Sequence, residues 1–460
     1  MQFESYWCTD YIMDLVTVPQ KQISQKELDM SGPVTLAMDA AEKAFPAMTG
    51  KAQYKLGTEE LCSIAERFGF SAEAIERLRA AISDADLPRE PHLGRYRGSA
   101  DPSMGDRFEA LARRAFDVQH AYAVCNGTSA LQAALSAVAA QGREVIVPGM
   151  GFIATAMAGA MVGATPVFCD VDESLQMDPS KLEALITDRT AAVLPTHHWG
   201  VVADMDPIVE IADRHGVTVI EDCAQSPGAT YRGRPVGSIG DIGCFSISSY
   251  KIIGGGEGGM VVTNDDRLYD RVRQACESGG LWRPDRYAPP RYEGELFVGG
   301  NYRLSELESA VNVVQMRKLP DLVARYRAVW TRLRRQLGRY EEIQWQKSND
   351  PDGDIGYMLR FFPRDDELGR RIVEGLRAEG VAASYRGADA GADYHCCKYY
   401  YPLLGVEASH RLAETCPVAA DLFDRRVTVG LNQWWSDEDC DAVALGFQRV
   451  LSAYCTPVEA

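Results

Sequence analysis

Lys251 stands between a β-rich run, DIGCFSIS from Asp241, and a glycine cluster, GGGEGGM from Gly254. An amine on a mobile stem, beside backbone that a ligand can approach closely, suits a lysine that forms a Schiff base with a carbonyl cofactor. The same stretch reads equally as a surface lysine beside a flexible turn, with the glycines as a possible phosphate loop. Two other places could do related chemistry. Asn126-Gly127-Thr128-Ser129 opens the apolar helix ALQAALSAV, and a small, hydroxyl-bearing turn at a helix start offers unpaired N–H groups and a positive dipole end to a phosphate. An ordinary N-cap has the same residues. Asp222 follows the run VTVIE, and an acid at a strand end can be a metal ligand, a cap, or the partner of a protonated ring nitrogen.

Taken jointly, a phosphate cradle, an acid and a lysine, each after a strand, are the three grips needed on pyridoxal 5'-phosphate. The cradle holds the phosphate, the carboxylate keeps the pyridine nitrogen protonated, and the lysine holds the aldehyde.

The elements that must position these residues follow from an alternating pattern. Past Asp106, the β-rich runs EVIVP, TPVFCDV, AAVLPT, VTVIED and DIGCFSI alternate with the helical stretches FIATAMAGAMV, DPSKLEALI and DMDPIVEIADRHG. Such alternation predicts an α/β fold with a mainly parallel sheet covered on both faces. Ligands bind beyond the carboxyl ends of such strands, where Asn126, Asp222 and Lys251 lie. RLSELESAVNVVQMRKLPDLVARYRAVWTRLRRQL predicts a long helix interrupted near Pro320.

Three regions are expected: a helical extension over 1–86, a large domain over 87–340 and a small α/β domain over 341–460. KELDMSGPVTLAMDAAEKAF and SAEAIERLRAAISDA carry helical periodicity in the extension, with Ser71 as N-cap of the second. DLPREPHLGRYRGSADPSMG reads as a linker. In the small domain, GYMLRFFP and VAASYR read as strands around the helix DDELGRRIVEGLRAEG, and a helix capped by Ser436 closes the chain.

The chain's 460 residues are too many for a small binding module, and its net charge of −17 opposes binding to nucleic acid. The densest basic segment, Arg325 to Arg339, reads as the solvated side of a helix. The acidic N-terminus does not resemble a signal peptide, and no apolar run reaches the length of a membrane span, so a cytoplasmic protein is expected. Twelve cysteines without a CxxC pair read as reduced and mostly buried. His395-Cys396-Cys397 lacks a matching second cluster, so no metal site is expected.

The motif order also carries a resemblance. NGTSAL, EVIVPGMGFIATA, GATPVFCDVD, VIEDCAQ, VGSIGDIGCFS, the lysine followed by GEGG, and NYRLSELESA resemble the DegT/StrS family of pyridoxal-phosphate aminotransferases, which act mostly on keto-sugars and keto-cyclitols. The match covers about 100–330, more weakly the C-terminal unit, and not the first 86 residues. It implies a fold-type I aminotransferase, with a large domain, a small C-terminal domain and active sites shared across a homodimer. By position, Lys251 corresponds to the cofactor-binding lysine, Asp222 to the partner of the pyridine nitrogen, and Phe152 to the aromatic stacked on the ring. Gly127, Thr128, Ser129 and Ser246 correspond to phosphate contacts, and Gln225 to a residue beside the ring. Asn301 corresponds to an asparagine reaching the phosphate from the neighbouring subunit.

The resemblance implies transamination in two halves, glutamine or glutamate giving its amino group to a small-molecule ketone. A dehydratase or aromatising enzyme of the same family is the runner-up, although the family's sugar dehydratases typically replace the lysine with histidine. A non-catalytic partner subunit is the third reading. His197-His198-Trp199-Gly200 stands where the family often has HLYG, and Gln225-Ser226-Pro227-Gly228-Ala229 where it often has QxHGA. Both departures fall on the expected substrate side. The four residues Ile252 to Gly255 before GEGG resemble the branch whose substrates carry no nucleotide. His197 reads as a substrate ligand or a satisfied interior histidine; His395 and Arg386 are further candidates for substrate contact.

Overall fold

The structure is a computed structural model that describes residues 56–86, 103–279, 297–404 and 416–458. The helix expected over 26–45 and most of the linker lie outside these residues. The second expected helix is present. Helices α1 (Thr58–Arg67) and α2 (Ala72–Ala81) pack through Cys62, Ala65 and Ile75, and the Ser71 side chain accepts the Ala74 N–H as expected of an N-cap.

Helix α3 (Met104–Ala115) begins where the linker was expected to end. Ser103 and Asp106 cap it reciprocally, and the buried Glu306 carboxylate accepts the N–H groups of Met104 at 2.8 Å and Gly105 at 3.3 Å. The next elements alternate: β1 (His120–Val124), α4 (Gly127–Ala137), β2 (Glu144–Pro148), α5 (Ala154–Met161), β3 (Thr165–Cys169), β4 (Thr190–Val193), α6 (Met205–His215) and β5 (Thr218–Asp222). A small hairpin, β6 (Thr230–Tyr231) and β7 (Arg234–Pro235), precedes β8 (Ile242–Ser246), β9 (Gly259–Thr263) and α7 (Asp266–Cys276). DPSKLEALI makes only the single turn Pro179–Leu182 and a 3-10 turn.

One seven-stranded sheet has the order β1-β9-β8-β5-β4-β2-β3. All pairings from β8 through β3 are parallel, while β9 runs antiparallel to both β8 and β1. The antiparallel β9 is the strand that the alternation does not announce, because a glycine-rich return rather than a helix leads into it. Val145 and Val147 join the core with α4, α5 and α7, whereas Ile146 joins that with α3 and α6. This alternation buries both faces, each fully buried Val or Ile contributing about 1.5–3 kcal/mol.

Helix α8 (Glu306–Gln336) runs without interruption through Pro320, contrary to the expected break. Proline deletes one backbone hydrogen bond at a cost of about 3 kcal/mol. Met316, Leu319 and Val323 flank it and are buried against the large sheet's core, which offsets that cost. Beyond α8, a four-stranded antiparallel sheet of β10 (Ile343–Trp345), β11 (Met358–Pro363), β12 (Ala383–Tyr385) and β13 (Val427–Gly430) has the order β10-β11-β13-β12. Helices α9 (Asp366–Ala378) and α11 (Asp437–Tyr454) complete its core, and α10 (Pro417–Arg425) lies between β12 and β13 in sequence. Ser436 caps α11.

Candidate active site

The carboxyl ends of β1, β5 and β8 meet at one edge of the large sheet. Antiparallel β9 starts there too, so the glycine-rich return from Lys251 is folded onto that edge. Ile247 N–H donates to Gly258 O at 2.8 Å, Gly255 N–H to Ile247 O at 3.1 Å, and Lys251 N–H to Ser248 O at 3.0 Å. A Cβ on Gly254 would stand 2.7 Å from Ser248 O, so the return is a close-packed turn and not an open phosphate loop. Asn312 of α8 pins it by donating from Nδ2 to Glu257 O at 3.3 Å.

A pocket of about 560 Å³ opens on this edge, within the usual range for a small-molecule site. Gly127, Thr128, Phe152, Asp222, Gln225, Ser246 and Lys251 all line it, although they come from four different strand ends. Ser129 and Asn301 do not. Ser129 is buried, its N–H donating to Asn126 Oδ1 at 2.8 Å and its hydroxyl lying 3.2 Å from Cys125 Sγ. Asn301 is exposed, and its backbone forms an antiparallel bridge with the buried Glu277.

The residues present fit a phosphorylated pyridine aldehyde. Asn126 occupies the N-cap of α4 and satisfies Ser129, so Gly127 and Thr128 keep the free N–H groups of a helix start. A Cβ on Gly127 would sit 2.7 Å from Ser246 Cβ, so only glycine keeps the cradle open between them. Asp222 is buried beneath the pocket. Its Oδ2 accepts the Thr155 hydroxyl at 2.7 Å and its Oδ1 the Ala224 N–H at 3.1 Å. Each oxygen retains acceptor capacity for a ring N–H. Burial holds the Lys251 amine below the ordinary lysine value, against the pull of the Asp222 carboxylate. Phe152 precedes α5 and is 44% exposed, its ring offering a flat face to the pocket.

The remaining wall comes from His395, a candidate by the family resemblance, and from residues that neither pattern nor resemblance marked. Thr155 lies within the FIATA run but was read only as helix. Tyr326 arrives from α8, and Tyr357 and Met358 from the start of β11. His395 arrives because Gly151 N–H donates to His395 O at 3.0 Å and Ile153 N–H to Tyr394 O at 2.8 Å. Its ring then lies 5.5 Å from that of Phe152 and 5.8 Å from Trp199. Arg386 does not line the pocket. It stacks on Tyr399 and Phe423 and faces Asp393 and Asp424.

At the HHWG departure, only Trp199 reaches the pocket, held in a left-handed conformation (φ 59°) with its N–H donating to Gln225 Oε1 at 3.1 Å. His197 is the satisfied interior histidine. Its Nδ1 accepts the Ala203 N–H at 3.1 Å, so Nε2 carries the proton and donates to Glu221 Oε2 at 2.9 Å. Glu221 also accepts the N–H groups of Gly237, Ile239 and Gly240. His197 and Glu221, clustered with the buried Cys223, thereby pin the end of β5 to the segments around Ala203 and Gly237–Gly240. The cysteines of the described residues are free thiols, nearly all buried, and among the described residues no helix is long and apolar enough to cross a membrane.

A model of the DegT/DnrJ/EryC1/StrS aminotransferase family matches residues 102–448. A GDP-perosamine synthase of Caulobacter vibrioides is 46% identical over 215 residues, covering 46% of this chain and 56% of that enzyme. A UDP-N-acetyl-3-dehydro-alpha-D-glucosamine 3-aminotransferase of Acidithiobacillus ferrooxidans is 36% identical over 76% of this chain and 89% of its own. An L-glutamine:2-deoxy-scyllo-inosose aminotransferase of Micromonospora echinospora is 35% identical over 78% of this chain and 88% of its own. Among solved structures, 3-amino-5-hydroxybenzoic acid synthase matches at a TM-score of 0.65 with 28% identity, over 76% of this chain and 91% of its own.

Proposed function

The chain belongs to the DegT/DnrJ/EryC1/StrS aminotransferase family, and from that premise we propose that it moves an amino group from glutamine or glutamate to the ketone of a sugar or cyclitol. The observation that carries this reading is the convergence of Lys251, Asp222 and the Gly127–Ser246 cradle on one pocket. Relatives that act on nucleotide sugars and one that acts on a cyclitol are about equally similar, so both substrate classes belong to the proposal.

Pyridoxal 5'-phosphate fits the donor set, and when bound it supplies an aldehyde that condenses with amines and a ring that takes up the electron pair left at an adjacent carbon. The N–H groups of Gly127 and Thr128 and the Ser246 hydroxyl would hold its phosphate, and Lys251 its aldehyde carbon. Asp222, oriented by Thr155 and Ala224, would accept the ring N–H and so keep the ring cationic. Phe152 would lie against the ring. Burial favours the neutral form of Lys251 Nζ, which serves as the base that takes the proton from the donor's α-carbon. The first half ends with water releasing the donor's carbon skeleton as a 2-oxo acid; in the second half Lys251 Nζ delivers a proton to the former ketone carbon, which leaves as the amine. Trp199, Tyr326, Tyr357 and His395 wall the substrate side, and their flat faces suit the apolar faces of a six-membered ring.

The dimer belongs to the same proposal. Tyr250, beside Lys251, is 98% exposed, and Val298, near Asn301, is 96% exposed; a second copy covering them would remove apolar surface from water at the mouth of the pocket. Asn301 would then serve the partner's phosphate. The test is a panel of keto-sugars and keto-cyclitols offered with glutamine or glutamate, reading product mass. Replacement of carbonyl oxygen by an amine supports the reading, and additional loss of water would favour the aromatising alternative.

A further inference from the structure

A second, narrow crevice of about 20 Å³ shares Trp199 and Met358 with the active pocket and is lined by Trp330 and Arg334 of α8 and Leu359 and Arg360 of β11. Arg360 lines it, 3% exposed, with its guanidinium 3.8 Å from the Trp199 ring centre. Among the described residues its Nε and Nη1 have no hydrogen-bond partner, and its Nη2 reaches the Met358 thioether. A buried cation without a counter-ion is costly, and Arg426 nearby adds repulsion. Of the other charged groups in the crevice, Arg334 and Lys347 are cationic. The one carboxylate is engaged elsewhere. Asp354 accepts the Val202 N–H at 2.8 Å and the Ser348 hydroxyl at 2.5 Å.

We propose that this crevice is a binding site for a monatomic monovalent anion of the halide class, held by Arg360 Nε and Nη1. The crevice is narrow, about 20 Å³, which favours a small ligand over a polyatomic one. The chemistry agrees, because guanidinium is a weakly hydrated cation that pairs well with a weakly hydrated monovalent anion. Bound there, the halide neutralises Arg360 and firms the Trp199 indole, which also walls the active pocket.

The test uses the intact protein. In crystals soaked in bromide, anomalous scattering is expected to place an ion within hydrogen-bonding distance of Arg360 Nε or Nη1; water alone there would overturn the proposal. In solution, Tm is expected to rise saturably with chloride relative to gluconate at constant ionic strength, and Arg360→Met to lose that rise. An equal chloride response in both proteins would also overturn it. The bromide result decides the matter if the variant does not fold.

Discussion

Thr155 donates its hydroxyl proton to Asp222 across 2.7 Å, and with the Ala224 N–H on the other oxygen this bond sets the direction in which the carboxylate faces the pocket. The bond links α5, which Phe152 immediately precedes, to Asp222 at the end of β5. Hydrogen bonds to charged groups contribute about 1.5–3 kcal/mol. Thr155→Val is therefore expected to lower kcat about 10- to 100-fold with the fold intact, checked by steady-state kinetics and circular dichroism. Unchanged kcat would mean that Asp222 is oriented by other contacts.

The Lys251 amine sets the acid limb of the kcat profile, because only its neutral form takes a proton. Burial lowers its pKa and Asp222 opposes that, so the limb is expected below the ordinary lysine value. Asp222→Asn removes the opposing charge, and its limb is expected at still lower pH, with a greatly reduced plateau. A limb that moved upward would contradict the arrangement.

Gly127 leaves room that a side chain would fill. Gly127→Val places carbon where Ser246 Cβ lies 2.7 Å away, closing the cradle. The Kd for pyridoxal 5'-phosphate is expected to rise at least about tenfold, a loss of ~1.4 kcal/mol, as followed by fluorescence titration of the apoprotein. Wild-type affinity would remove the phosphate from this place.

Asp354 gives a stability prediction. Burial raises its pKa from 3.8 to about 7. Because the folded state then holds a proton that the unfolded state has released, stability falls as pH rises from about 4 to about 7, by up to ~4 kcal/mol, and stays level above. Asp354→Asn keeps an acceptor for Val202 N–H and is expected to flatten that fall. Urea unfolding at pH 5 and pH 8 measures it, and parallel curves for both proteins would contradict the expectation.

Shared sites are tested by mixing. If Asn301 serves the neighbouring subunit, Lys251→Ala and Asn301→Ala proteins, each defective alone, regain one intact site per mixed dimer. Random pairing is expected to restore roughly a quarter of wild-type activity. No recovery after verified subunit exchange would place Asn301 outside the site.

How much of this was legible in the chain depended on how each residue reaches the pocket. Lys251, Asp222 and Gly127 sit at strand ends, where hydrophobic runs stop and polar residues start, so a one-dimensional pattern finds them, whereas Ser246 came only from the family resemblance. Tyr326, Tyr357 and His395 reach the same pocket through a long helix, the small sheet and a strand-like bridge at Met150 and Cys396. Such tertiary approach leaves no local trace. β9 was missed because it returns antiparallel, and β10 and β13 because runs of three and four residues are too short for a period to declare itself. Pro320 misled because the pattern weighs a missing hydrogen bond and cannot see the burial that offsets it.

The most direct test of the central claim follows nitrogen. Glutamine or glutamate labelled with 15N at the α-amino group is incubated with the keto-sugar or keto-cyclitol that the panel identifies, using wild-type protein and Lys251→Ala. The account predicts label in the product amine with the wild type and none with the variant. Full transfer by Lys251→Ala would contradict it.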